Sequence, residues 1–72
     1  MPSTAIRAID YDAPAHELTV GFVSGSVYVY EDVPERVYRD FRAAPSKGRF
    51  FASEIRPRFL RYRKLRDREP RR

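Results

Sequence analysis

Cysteine and tryptophan are absent from this 72-residue sequence, and histidine occurs once. Without cysteine there is no disulfide frame and no thiol chemistry, and a lone His16 cannot assemble a Cys/His zinc site. No apolar run approaches the roughly 20 residues that a membrane-spanning helix needs. The opening "MPSTAIRAIDYD" also lacks an apolar stretch long enough for a signal peptide. A cytoplasmic protein with no metal or cofactor is therefore expected. So short a chain makes one domain and buries only about 60% of the surface its unfolded form exposes, so its stability has to come from one small core.

What the chain does have is an excess of positive charge, and it is unevenly placed. The formal net charge is +5. Residues 1–55 carry six Lys/Arg against eight Asp/Glu, a net of −2, whereas residues 56–72 carry nine basic side chains against Asp67 and Glu69, a net of +7. Such asymmetry is a mark of an arm that binds nucleic acid or a membrane surface, and equally of a solvated terminus. Only four large apolar residues are scattered among these arginines, and two acids interrupt them. That pattern suits phosphates better than lipid.

The apolar residues recur first with a period of two. "AIRAIDYD" reads as a strand with Ile9 and Tyr11 on one face and Ile6 and Ala8 on the other. "DAPAH" is turn chemistry. "ELTVGFV" is a clearer strand, because Leu18, Val20 and Phe22 share a face, and "SVYVYED" returns as a third after Ser-Gly. The period then changes. "DVPERVYRDFRAA" predicts a helix, with Pro34 at its first position, Glu35 near the positive end and Val37, Phe41 and Ala44 at helical spacing. Pro45 stops it, and Ser46 is placed to cap a shorter helix, "KGRFFASEI", in which Phe51 and Ile55 lie four apart.

The pair Tyr28 and Tyr30 lies on one side of the third strand. Which side depends on the turn before it. A two-residue turn at Ser24-Gly25 sets Phe22 against Val27 and turns the tyrosines outward, as a platform of the kind that stacks unpaired bases. A three-residue loop, Val23-Ser24-Gly25 with Gly25 left-handed, slips the pairing by one and sets Tyr30 and Tyr28 against Leu18 and Val20, in the core. The alternation alone leaves both open.

Leu18, Val20 and Phe22 followed by Gly25, then "VYVYEDVP", "VYRDFRAAPSKGRFF" and Ile55-Arg56, resemble the KTSC domain. This small module is found alone in bacterial proteins and at the C-terminus of some lysyl-tRNA synthetases. The resemblance runs from about Ala5 to Phe59. It implies buried tyrosines, because the family's pattern places polar residues between them and on either side of the middle one of the three apolar residues of the preceding strand, and it suggests RNA binding through the synthetase attachment. After Ile55-Arg56 the chain departs from the pattern, and Pro57-Arg58-Phe59 leads into an arginine-rich extension.

The expected architecture is α+β, a three-stranded antiparallel β-meander packed against one helix, with a second short helix and a basic C-terminal tail. The division is a KTSC-like domain over 1–60 and a tail over 61–72. The expected function is non-catalytic, sequence-tolerant RNA binding by electrostatic contacts. Its candidate residues are Lys47, Gly48 and Arg49, where a helix N-terminus and two cations could receive a phosphate, together with Arg56, Arg58, Arg61, Tyr62, Arg63 and Lys64, whose charges suit phosphates and whose aromatic suits a base. Solvated cations around an ordinary cap are the plainer reading of "SKGRF". The alternative function is a protein-protein interaction module for an acidic partner surface. A catalytic reading has only His16 beside Asp12 or Glu17, in a turn open to water, so no enzyme activity is expected. Neither a membrane nor a second copy of the chain is expected as a partner.

Overall fold

The computed structural model describes residues 5–66. Three consecutive strands, β1 (Ile6–Asp12), β2 (Glu17–Phe22) and β3 (Val27–Tyr30), are followed by helix α1 (Glu35–Ala43) and a short helix α2 (Lys47–Phe50). The latter runs directly into a π-helical turn, Phe51–Ile55, and the chain then returns to the sheet as β4 (Tyr62–Arg66). All neighbouring strands are antiparallel and the sheet order is β1-β2-β3-β4.

The β2–β3 hairpin takes the three-residue loop. Leu18 pairs with Tyr30 and Val20 with Tyr28. Phe22 N–H donates to Ser26 O at 2.9 Å, Gly25 N–H to Phe22 O at 2.9 Å, and Gly25 has φ 104°. This left-handed residue is one that glycine adopts without steric cost, and it sets the register of everything after it. Leu18, Val20, Phe22 and Tyr30 consequently share the core with Val33, Phe41, Phe51 and Ile55. The resemblance implied this register, and the outward-facing tyrosine pair is excluded.

Two details of the strand reading are corrected. Ile6 packs against the core beside Ile9 and Tyr11, although simple alternation puts it on the opposite face. A register shift between Ile6 and Ala8 inserts Arg7 as an extra residue, and a bulge of this kind reverses the side on which the preceding residue falls. The second correction is larger. The sheet has four strands, since residues 62–66 of the stretch read as a tail pair with β3 in the order Tyr30↔Tyr62, Val29↔Arg63 and Tyr28↔Lys64. Residues 67–72 lie outside the described part of the chain.

The helices close one face of the sheet. Pro34 proves to be the N-cap of α1 rather than its first residue. Phe41 is the buried residue of α1, and its ring stacks on Phe50 at 5.2 Å. Tyr11 stacks on Tyr38 at 5.1 Å and donates its hydroxyl to Val33 O at 2.6 Å, which ties β1 to the segment entering α1. Ser46 caps α2 as its sequence implies, accepting from Arg49 N–H at 3.3 Å. The π-turn, marked by Arg56 N–H donating to Phe51 O at 2.9 Å, has both Phe51 and Ile55 buried.

An aromatic cleft edged by Arg56

The pairing of β4 with β3 places Tyr62 over the tyrosine pair. Its ring lies 5.3 Å from that of Tyr30 and 5.6 Å from that of Tyr28. Tyr30 is 5% exposed while Tyr62 is 53% exposed, so the three rings step from core to solvent with Tyr28 between them. Phe22 meets Tyr28 edge-on at 5.8 Å, and Phe51 meets both Phe22 and Tyr30 edge-on at 5.3 and 5.8 Å. These rings touch edge to face, and open space remains on one side of them. The space is a cleft of about 290 Å³ bounded by these five rings, with Ser24 and Ser26 of the hairpin and Arg56 after the π-turn completing its lining.

Electrostatics distinguish Arg56, at this cleft, from the arginines that pair with carboxylates of the chain. Burial, and then the neighbouring Tyr62 and Tyr28, push the Tyr30 phenol up to about 12, with the positive charge of Arg56 opposing them. Arg56 is exposed and enters no ion pair among the described residues. The Lys64 ammonium lies 5.5 Å from the centre of the Tyr28 ring, within cation–π range. On the other side of the sheet, Arg63 donates to both carboxylate oxygens of Glu17, at 3.2 and 3.3 Å, and to Glu31 at 3.2 Å. Its guanidinium is raised above the ordinary arginine value, first by the hydrogen bond to Glu17. Arg61 pairs with Asp32 at 3.1 Å and Glu31 at 3.8 Å, and Arg58 with Glu54 at 3.5 Å.

The candidate residues from the sequence are thus divided. Arg56, Tyr62 and Lys64 come together on the aromatic side. Arg58, Arg61 and Arg63 are engaged with carboxylates of the chain itself. Lys47 is turned back onto the end of α1, donating to Arg42 O at 3.1 Å and Ala44 O at 3.4 Å, which is the capping of helix carbonyls that a lysine performs well. Gly48 lies inside the first turn of α2, and Arg49 lines a separate groove of about 660 Å³ with Arg36, Arg58, Val37, Phe50 and Phe59. Sequence reasoning missed Phe22, Ser24, Ser26 and Phe51 as cleft residues, because they are distant in the chain and only the hairpin register and the π-turn bring them together. Among the described residues no helix is long and apolar enough to cross a membrane, and no group of three or more His, Asp or Glu is placed to hold a metal ion.

A four-stranded antiparallel sheet covered on one face by α1 and the α2–π segment, with a ring-lined cleft at the β3–β4 edge, defines a small α+β module. Residues 2–59 match the sequence model of the KTSC domain, and the chain belongs to that family. It is 42% identical over 57 residues to a protein of Tsukamurella paurometabola, covering 79% of this chain and 85% of that one. It is also 41% identical over 56 residues to a lysine–tRNA ligase of Nostoc punctiforme, covering 78% of this chain but only 10% of the ligase. Among solved structures, a KTSC domain protein from Yersinia pestis superposes with a TM-score of 0.78 at 41% identity, covering 90% of each chain.

Proposed function

We propose that this protein is a non-catalytic module that binds single-stranded RNA with little sequence preference, and that the aromatic cleft is where it does so. The carrying observation is the gathering of Arg56 and Lys64 around the partly exposed rings of Tyr28 and Tyr62. Cations beside stackable rings are the usual equipment for unpaired strands, since phosphates take the charge and any base offers a π-face. The related segments of lysine–tRNA ligases support the reading, because those enzymes act on an RNA. The +7 of the C-terminal end is a poorer carrier, because Arg58, Arg61 and Arg63 already meet carboxylates of the chain.

Filter binding of a single-stranded RNA oligonucleotide across a salt series tests this. Each phosphate contact with single strands contributes about −0.7 to the slope of log K against log salt, so the two cations of the cleft give about −1.4. Arg56→Ala or Lys64→Ala halves it. A slope near −3 that neither substitution alters returns the binding to the rest of the basic end, and no retention at low salt removes the RNA reading.

A second reading, binding of an acidic protein surface, is favoured by the groove in which Arg36, Arg49 and Arg58 surround Val37, Phe50 and Phe59. Asp40 and Glu54 also line that groove and reduce its net charge, which ranks it second. Retention of anionic proteins that Arg36→Ala and Arg49→Ala abolish, with RNA unretained, selects it.

A further inference from the structure

The cleft differs from an open stacking platform in three respects. A platform for a run of bases is a flat row of rings along a sheet, whereas here the floor, made by Tyr30 and Phe51, is buried. Tyr28, Tyr62 and Phe22 stand around it at interplanar angles of 64° and 87° to one another. The volume, about 290 Å³, is at the lower limit of small-ligand sites, where roughly 300 Å³ is the smallest common size. Finally, the polar groups are divided between two ends. Hydroxyls of Ser24 and Ser26 come from the β2–β3 loop, and a single guanidinium, Arg56, comes from the end of the π-turn. A ligand that satisfies this arrangement is short, has a flat aromatic part, and carries one anionic group.

We infer that the cleft takes one nucleotide unit, with its base stacked on the exposed ring of Tyr62 at the cleft mouth and its phosphate on Arg56. The inference rests on the RNA reading above and narrows it from a length of strand to a single splayed-out or terminal nucleotide. The base covers the exposed ring of Tyr62, and the Ser24 and Ser26 side of the cleft faces its polar edge. The phosphate supplies the negative charge that Arg56 does not find among the described residues. Neighbouring nucleotides stay outside, along Lys64. Such a site is tolerant of base identity, because stacking and one charge contact carry no base code and a serine hydroxyl both donates and accepts at a base edge.

The test is an amide-shift titration of the full chain with adenosine 5′-monophosphate, adenosine, ribose 5-phosphate and a short oligoadenylate, each separately. The monophosphate is expected to shift the amides of Ser24, Ser26, Tyr28, Arg56 and Tyr62. Adenosine and ribose 5-phosphate are expected to bind at least about tenfold more weakly, since each lacks one of the two contacts. Arg56→Gln, at an exposed position, should weaken the monophosphate about tenfold and leave adenosine unchanged. Ribose 5-phosphate binding as well as the monophosphate would make the cleft an anion site and overturn the inference. So would monophosphate shifts confined to Lys47, Gly48 and Arg49. Oligoadenylate shifting the cleft amides while the monophosphate does not overturns the single-nucleotide inference and leaves the RNA reading intact, whereas silence with both ligands removes both.

Discussion

The ring of Tyr62 packs 5.3 Å from that of Tyr30, so a residue beyond the family's matched stretch, which ends at residue 59, rests on the core of the domain. Tyr30 is paired in the ladder with Tyr62 on one side and with Leu18 on the other, and is buried by both. Residues 62–66 are therefore part of the sheet as well as a source of charge.

Deleting residues 61–72 should destabilise the domain. It removes β4, its ladder with β3 and two ring contacts, and by the usual worth of aromatic pairs and hydrogen bonds the loss is about 2 kcal/mol or more. Urea denaturation followed by far-UV circular dichroism measures it. An unchanged midpoint would show that β4 adds nothing to the fold. The same truncation cannot serve as a clean test of RNA binding, which needs point substitutions.

Tyr30→Ala and Tyr28→Ala should differ. Removing a buried large aromatic costs about 3–5 kcal/mol, enough to unfold so small a domain, and Tyr30 is the tyrosine so placed. Tyr28 is half-buried and its replacement should cost less. Thermal melts of both variants decide the order, and a lower melting temperature for Tyr28→Ala would contradict the assignment of core and cleft.

Stability should fall in alkali. The Tyr30 phenol is raised to about 12 in the fold, against an ordinary value near 10, because burial disfavours its ionised form. Below pH 10 both the folded and the unfolded phenol keep their proton and the contribution is complete. Between about 10 and 12 the unfolded chain loses its proton first, so the contribution declines as pH rises. Tyr11, raised mainly by burial, acts in the same direction. Urea midpoints at several alkaline pH values, compared between the parent and Tyr30→Phe, should show a shallower decline in the variant.

Arg63→Ala should lower stability by a small amount at low salt, and the difference should shrink as salt is added. Its pairs with Glu17 and Glu31 are exposed, and ion pairs of that kind are screened. Val29, its partner in the ladder, is 3% exposed, so loss of the arginine stem also uncovers apolar surface and part of the effect should survive high salt. Denaturation midpoints at low and high salt separate the two parts. A deficit that grows with salt would contradict this.

Local patterns in the sequence determined β1, β2 and β3, the presence of α1, the Ser46 cap of α2 and membership of the family. Alternation, helical spacing and capping chemistry act between residues a few positions apart, so they can be read along the chain. The same residues left the β2–β3 register open, since two loop lengths satisfy the alternation equally; packing of Tyr30 against Leu18, Phe51 and Tyr62 goes with the longer loop and a left-handed Gly25. Arg7 gives no sign of its bulge, because an inserted residue is detectable only against the strand it fails to pair with. Strand β4 was hidden for a related reason. An edge strand rich in arginine and lysine has almost no apolar alternation, and its basic side chains resemble a solvated terminus until Glu17 and Glu31 are brought opposite Arg63. The cleft is wholly a product of tertiary structure, because Phe22, Tyr28, Phe51, Arg56 and Tyr62 meet only when the hairpin, the π-turn and β4 converge.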